Sequence, residues 1–214
     1  MINNTSKIKL QKLVEQFHKN IDFYKNIQKG YNEHSCRIEF IDPLLKILGW
    51  DVANENGVAP QYREVIAENY SSRSDRPDYT MTLRGVAKFF IEAKKPAIDI
   101  TKINTTCYSN KKIWLECKTI KIAILTNFEF LAIYDTCYFP QENDNCTVAR
   151  YRLYHYTEYV DKLEEIHNLI SKDAVYSGMF DQYTEENILK SSNQTKQVDE
   201  LFLSQINSWL YCIE

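Results

Sequence analysis

Hydrophobic residues near the start of the chain recur at spacings of three and four positions, which is the pattern of an amphipathic helix. This first predicted helix runs from about residue 6 to residue 25. A second helix is predicted from about residue 32 to residue 48, where Gly49 is placed to end it. Pro43 removes one backbone donor inside this helix, so we expect a kink or an internal break there.

The middle of the chain carries short runs rich in Val, Ile, Phe and Tyr, which favour strands. Arg84 and Gly85 alone separate the second and third runs, so these two runs are predicted to form a tight hairpin. A second turn is predicted near Asn127, a helix over about residues 101–118, and a polar loop over residues 141–145. The strand-like runs are REVIAE, PDYTMTLR, VAKFFIEAKK, IKIAILTN, FEFLAIYD and VARYRLYHY.

From about residue 158 the pattern becomes helical again, in DKLEEIHNLI and VDELFLSQINSWLYCI. Helices, strands, one helix, strands and further helices in this order are typical of an α/β domain with one mixed sheet and helices packed on it. We therefore predict an α/β domain over residues 1–160, followed by a helical extension or linker over residues 161–214.

Composition narrows the function classes. A length of 214 residues with 44% hydrophobic residues allows a real core, and a net charge of −3 argues against a protein that coats nucleic acid non-specifically. The six cysteines form no CxxC pair, the four histidines lack metal-ligand spacing, and no P-loop, GxSxG or GxGxxG motif is present. No secretory signal or membrane-spanning apolar run is visible, so we expect a cytoplasmic protein with no membrane contact.

The segment RPDYTMTLRGVAKFFIEAKKP carries the candidate chemistry. Side chains alternate between the faces of a strand, so Glu92 and Lys94 point the same way while Ala93 points towards the core with Phe89 and Ile91. Asp78 opens the partner strand of the hairpin and should lie opposite Glu92. Carboxylates gathered this closely repel one another, so at least one of them should have a raised pKa.

This arrangement suits phosphodiester hydrolysis, because carboxylate oxygens are ligands for Mg²⁺, for which Mn²⁺ can substitute. A metal held by Asp78 and Glu92 would polarise the phosphoryl oxygen and lower the pKa of a bound water. Lys94 would either position that water or stabilise the charge of the transition state, and the sequence leaves both roles open. An ExK triplet alone is common, however, and usually marks a solvated strand face.

The segment resembles the PD-(D/E)xK nuclease motif in the form found in type IIG restriction-modification enzymes and in the R subunits of type I restriction enzymes. The stretch RIEFIDPLLKILGWDV is similar to the first core helix of this family, which implies that Glu39 joins the metal site. The stretches YREVIAE and ILTNFEFLAIYD are similar to the strands that flank the motif, and VDELFLSQINSW to the segment that leads into a methyltransferase domain.

The resemblance implies a restriction-endonuclease-like fold and a metal-dependent, site-specific endonuclease that cleaves double-stranded DNA. It also implies covalently attached methyltransferase and specificity domains, and a transient dimer for cutting both strands. A Gly-rich cofactor loop and an NPPY-like motif are absent from the sequence, so no AdoMet site is expected in this chain. The alternatives are a catalytically silent DNA-recognition or assembly module of the same fold, or a nuclease of a type I-like complex or of DNA repair.

Candidate DNA contacts lie on both sides of the motif in the chain. Type I R subunits and their relatives often place a QxxxY motif on the helix after the lysine, and here Asn104 replaces the glutamine while Tyr108 is kept. The predicted helix also carries a basic face that includes one aromatic residue, Trp114. Each candidate can equally be an ordinary packed or solvated side chain. The DNA-contact candidates are Arg73, Arg76, Tyr108, Lys111 and Lys118.

Overall fold

A computed structural model describes residues 4–67, 77–102, 120–136, 147 and 149–187. The strands within these ranges form one six-stranded sheet in the order β1-β2-β3-β4-β5-β6. Strands β3 and β4 are parallel, and the other neighbouring pairs are antiparallel. This mixed sheet with helices around it confirms the predicted fold class. The strands are β1 (Val65–Ala67), β2 (Tyr79–Leu83), β3 (Val86–Ala93), β4 (Ile122–Thr126), β5 (Phe130–Asp135) and β6 (Arg150–His155).

The predicted hairpin between β2 and β3 is confirmed. Arg84 and Gly85 both have positive φ angles, 51° and 80°, as the central residues of a type I′ turn require. A Cβ atom on Gly85 would lie 2.8 Å from the backbone oxygen of Gln61, so glycine is needed there for space as well as for conformation. The turn pairs Leu83 with Val86, and a register shift between Met81 and Thr82 then brings Tyr79 opposite Ile91.

The predicted alternation along β3 is also confirmed. Phe89, Ile91 and Ala93 are buried in the main core, while Glu92 is only partly buried. The ring of Phe89 packs against Trp50 at 5.9 Å and against Phe180 at 5.5 Å between centroids. One face of the strand therefore packs in the main core, while the other carries the buried Phe90 in its middle and the partly buried Glu92 near its end.

Two helical regions precede the sheet. Helix α1 (Asn4–Lys19) buries Leu10, Leu13 and Phe17 and is followed by the short helix α2 (Ile21–Tyr24). The region from residue 33 to residue 47, here called the site helix, consists of α3 (Glu33–Cys36), a π-helical turn (Arg37–Ile41) and α4 (Asp42–Ile47). The wide turn lies directly before Pro43, where the missing N–H and the bulk of the ring disfavour a regular α-helix.

Within the described residues, three helices follow the sheet: α5 (Leu163–Ile170), α6 (Lys172–Tyr176) and α7 (Met179–Asn187). They share the main core with the sheet, and the indole N–H of Trp50 donates to the carbonyl of Ile170 at 2.9 Å. The domain boundary at residue 160 stays a prediction. Short 3-10 helices occur at Ile27–Lys29, Pro60–Tyr62 and Tyr156–Glu158.

Several predicted elements lie outside the described residues. They are most of the helix over residues 101–118, the polar loop over residues 141–145 and the last helical stretch, VDELFLSQINSWLYCI. In the described part of the chain, no helix has both the length and the apolar character that a membrane crossing requires.

Candidate active site

The structure brings Asp78, Glu92 and Lys94 together at one end of the β2–β3 hairpin. Because Tyr79 pairs with Ile91, Asp78 is placed opposite Glu92 by the register of the two strands. The backbone N–H of Ala93 donates to Asp78 Oδ2 at 2.7 Å, which ties the start of one strand to the end of the other. We call these three residues, together with Glu33 described below, the carboxylate cluster.

Lys94 lies between the carboxylates of the cluster. Its Nζ donates to Glu92 Oε1 at 2.5 Å and to the carbonyl of Ala93 at 2.9 Å. Its backbone N–H donates to the carbonyl of Thr126 at 2.8 Å, which anchors the residue beside β4. Burial opposes the charged form of Lys94, but the nearby carboxylates outweigh it and raise the pKa of Lys94, so the side chain stays an ammonium.

Glu33 completes the cluster from the first turn of the site helix. Its Oε2 lies 3.6 Å from Lys94 Nζ, and its side chain is 30% exposed. Burial raises the pKa of the Glu33 carboxyl, the charges of Asp78 and Glu92 raise it further, and Lys94 opposes the rise. The raised carboxyl pKa in the cluster thus belongs to Glu33, which was not among the predicted carboxylates, and burial contributes more to it than repulsion does.

A local signal in the sequence bears on Glu33. Asn32 caps the helix, because its side chain accepts a hydrogen bond from the backbone N–H of Ser35 at 2.8 Å. An Asn followed by Glu at a helix start is typical of such a cap. This pattern gives the position of the first turn but not the direction in which Glu33 points.

The structure does not bring Glu39 to the cluster. Glu39 is exposed and lines a groove of about 450 Å³ between α1 and the site helix, beside Lys9 and Lys12. Glu33 and Arg37 lie four positions apart and share the helix face that meets the strands. Glu39 lies two positions beyond Arg37, roughly half a turn around the helix, and therefore faces away from Asp78.

Asp78 is held from two sides. Arg37 Nη1 donates to its Oδ1 at 2.9 Å, while the backbone N–H of Ala93 binds its Oδ2. Among the described residues, no three His, Cys, Asp or Glu side chains lie in an arrangement that could hold a metal ion without moving. Each carboxylate oxygen has two lone pairs, however, so Asp78 and Glu92 keep acceptor capacity beyond these hydrogen bonds.

The chemistry of the donor set fits a hard divalent cation. Asp78, Glu92 and Glu33 supply carboxylate oxygens, which Mg²⁺ prefers, and the described part of the cluster contains no thiolate or imidazole ligand. The three carboxylates face two cationic side chains, Arg37 and Lys94. The cluster therefore keeps a net negative charge that favours a cation.

The predicted DNA contacts cannot be placed, because all of them lie outside the described residues. They are Arg73, Arg76, Tyr108, Lys111 and Lys118, and the same holds for Asn104 and Trp114.

The chain is similar to the type II restriction enzyme and methyltransferase RM.Eco57I of Escherichia coli. The two sequences are 40% identical over 211 residues, which cover 95% of this chain and 20% of the relative. The chain thus spans about a fifth of the length of that protein, and it is related to a part of a restriction and methylation enzyme. No family model matches the chain, and no solved structure matches it.

Proposed function

We propose that this chain is the nuclease part of a restriction-modification enzyme and hydrolyses phosphodiester bonds of double-stranded DNA with Mg²⁺. The observation that carries the proposal is the strand register that places Asp78 opposite Glu92, with Lys94 bonded to Glu92 at 2.5 Å. The similarity to RM.Eco57I supports it, since that protein is named as both restriction enzyme and methyltransferase. In this proposal, Asp78, Glu92 and Lys94 are the defining positions of a PD-(D/E)xK motif.

The carboxylates of Asp78, Glu92 and Glu33 would hold the cation. Bound there, Mg²⁺ would polarise a phosphoryl oxygen and lower the pKa of a coordinated water. Asp78 is fixed in direction by its two donors, so its remaining lone pairs have a defined orientation. Preorganised ligands of this kind cost little reorganisation when the reaction occurs.

Lys94 would act on the reacting phosphate or on the attacking water. Its side chain is 27% exposed, so it is not sealed inside the cluster. An ammonium group at this position stabilises the extra negative charge of the transition state or orients the water by a hydrogen bond. The reaction would leave a 5′-phosphate and a 3′-hydroxyl, and one cluster cuts one strand, so a double-strand break needs two copies of the chain on the DNA.

The relative also suggests the setting of this activity. RM.Eco57I combines restriction enzyme and methyltransferase in its name, and this chain corresponds to a fifth of it. We propose that the nuclease works while covalently attached to methyltransferase and specificity domains, which would supply AdoMet binding and sequence recognition.

Plasmid cleavage by the purified chain tests the proposal. We expect nicking with Mg²⁺ or Mn²⁺, none in excess EDTA, and a loss of at least ~10²-fold in Asp78→Asn and Glu92→Gln, the scale for removing a preorganised charged group. The control is Asp181→Asn, because Asp181 pairs with Lys88 at 2.8 Å near the other end of β3.

Two results would contradict the proposal. Undiminished cleavage in EDTA would exclude the metal mechanism. DNA binding without any cleavage, in wild-type chain loaded with Mn²⁺, would favour the silent DNA-recognition module instead.

A further inference from the structure

Arg37 is a buried guanidinium group, 8% exposed, on the same helix face as Glu33. Its Nη1 donates to Asp78 Oδ1 at 2.9 Å, and its Nη2 donates to the backbone oxygen of Asp78 at 3.3 Å. Its Nε donates to the hydroxyl of Tyr79 at 3.1 Å, and the guanidinium carbon lies 4.5 Å from the centroid of the Tyr79 ring. The planar group is therefore fixed by three directional bonds and one stacking contact.

The network continues back to the site helix through Tyr79. The Tyr79 hydroxyl donates to Asp42 Oδ1 at 2.6 Å, and the Tyr79 side chain is 1% exposed. Burial raises the pKa of Asp42, although Tyr79 and Arg37 oppose the rise. Arg37 and Asp42 stand at the start and just beyond the end of the π-helical turn, so this turn sets the spacing between the two ends of the network.

These contacts determine the direction of the Asp78 carboxylate. Asp78 precedes β2, so the regular strand ladder does not orient it. Its two oxygens accept from different donors, Arg37 on one and the backbone of Ala93 on the other. A free carboxylate turns readily about its last side-chain torsion, which is broad, whereas one held at both oxygens does not.

We propose that Arg37 is a positioning residue, which fixes the orientation of the Asp78 carboxylate for cation binding through the buried network with Tyr79 and Asp42. This inference rests on the proposed function, because it assigns Asp78 to a metal site. A purely structural ion pair would fasten the site helix to β2 and change only the stability of the fold. A positioning residue must also change how the cluster binds a cation.

The principal variant is Arg37→Lys, which keeps the charge and therefore the electrostatic effect on a nearby cation. Lysine cannot reproduce the planar fork or the stack on Tyr79. We expect the dissociation constant of Mn²⁺ to rise about 10-fold, as is typical when a residue that hydrogen-bonds to a metal ligand is lost. Calorimetry on the DNA-free chain would measure it. The turnover number at saturating DNA and Mg²⁺ should fall by a similar factor, with KM for DNA unchanged.

The matched control is Arg152→Lys. Arg152 also stacks on a tyrosine, with its guanidinium carbon 4.2 Å from the ring of Tyr151, and also pairs with a carboxylate, that of Glu165 at 3.3 Å. It lies on β6, at the opposite edge of the sheet from β1. This variant should leave Mn²⁺ binding and turnover unchanged.

A milder variant covers the case in which Arg37→Lys fails to fold. Tyr79→Phe keeps the ring under the guanidinium group and removes only the hydroxyl that links Arg37 to Asp42. We expect it to raise the dissociation constant of Mn²⁺ roughly threefold, less than Arg37→Lys does, because Arg37 keeps its hydrogen bond to Asp78.

The outcomes separate this inference from the proposed function. Variants at Arg37 and Tyr79 that change only the melting temperature would overturn the positioning role, even if the wild-type chain cleaves DNA. If the wild-type chain does not cleave but binds Mn²⁺ and loses affinity in Arg37→Lys, the nuclease proposal fails and the positioning role stands. A wild-type chain that neither cleaves nor binds Mn²⁺ would overturn both.

Discussion

Replacement of Lys94 by methionine tests the central contact of the cluster. The substitution keeps an unbranched stem of four heavy atoms but removes the ammonium group that lies 2.5 Å from Glu92 Oε1 and 3.6 Å from Glu33 Oε2. These two carboxylate side chains are only 25% and 30% exposed. Methionine therefore leaves the negative charges of Glu33 and Glu92 without the positive charge that lies between them. It also removes the side-chain hydrogen bond to the carbonyl of Ala93.

The expected loss of stability follows from this geometry. A hydrogen bond between charged groups contributes roughly 1.5–3 kcal/mol. Because the groups are a quarter exposed, solvent screening reduces the net value to about 1–2 kcal/mol. For a chain of this size each kcal/mol corresponds to about 2–4 °C, so the melting temperature should fall by about 2–8 °C.

The response to Mg²⁺ makes the test specific. In the wild-type chain the ammonium group of Lys94 competes with a cation for Glu92, and Lys94→Met removes this competitor. A ligand stabilises the fold by an amount that grows with its affinity, so Mg²⁺ should raise the melting temperature more in the variant than in the wild type. Cleavage should nevertheless fall by at least ~10²-fold, because the variant lacks the charge that the proposed mechanism uses in the transition state.

Lys88→Met is the matched control, since Lys88 pairs with Asp181 at 2.8 Å on the same strand but away from the cluster. It should lower the melting temperature without changing the response to Mg²⁺ or the cleavage rate. Wild-type cleavage together with a wild-type Mg²⁺ response in Lys94→Met would refute the placement of Lys94 in the site.

Glu33→Gln should weaken Mn²⁺ binding and lower cleavage about 10-fold, whereas Glu39→Gln should change neither, as calorimetry and plasmid nicking can show. Ca²⁺ should bind to the wild-type chain in the same calorimetry without supporting cleavage. Gly85→Ala should cost about 1–3 kcal/mol in urea denaturation, because φ is +80° and the added methyl group would lie 2.8 Å from a backbone oxygen. Burial opposes ionisation of Asp51, but hydrogen bonds from the Asn56 and Glu55 backbone and from the Asn56 side chain outweigh it and lower its pKa. The wild-type chain should therefore have a larger free energy of unfolding than Asp51→Asn above pH ~4, and this difference should vanish as the pH falls through the lowered pKa of Asp51. Urea denaturation of both chains at pH 7 and pH 3 would measure it.

The sheet was predictable where local patterns decide the structure. Alternation along β3 follows from the sequence because Phe89, Ile91 and Ala93 are apolar while Glu92 is not. The turn at Gly85 follows because a two-residue hairpin loop needs positive φ angles. The parallel pairing of β3 with β4 has no such local signal, since it depends on a long connection between the two strands.

The same distinction holds for the site. Asp78, Glu92 and Lys94 lie on one hairpin, so strand alternation and the turn bring them to the same end of it, and a register shift between Met81 and Thr82 sets the final pairing. Glu33 reaches them from a distant helix, and its contact depends on which helix face packs against the strands. That face is set by core packing and by the π-helical turn, neither of which a regular helical period describes. Glu39 was expected at the site because the resemblance to the nuclease family implied it.

The two cationic side chains that face the carboxylates, Arg37 and Lys94, differ in their freedom to move. Arg37 is held by three directional bonds and a stacked ring inside the protein, while Lys94 ends in an ammonium group on a flexible four-carbon stem, 27% exposed. If a divalent cation competed for the carboxylates, Lys94 would therefore be the group that gives way, and Arg37 would stay on Asp78. Lys94 would then be released from Glu92 towards the phosphate, at the moment when its charge is useful. This difference is why we expect Lys94→Met to strengthen the response to Mg²⁺ and Arg37→Lys to weaken cation binding.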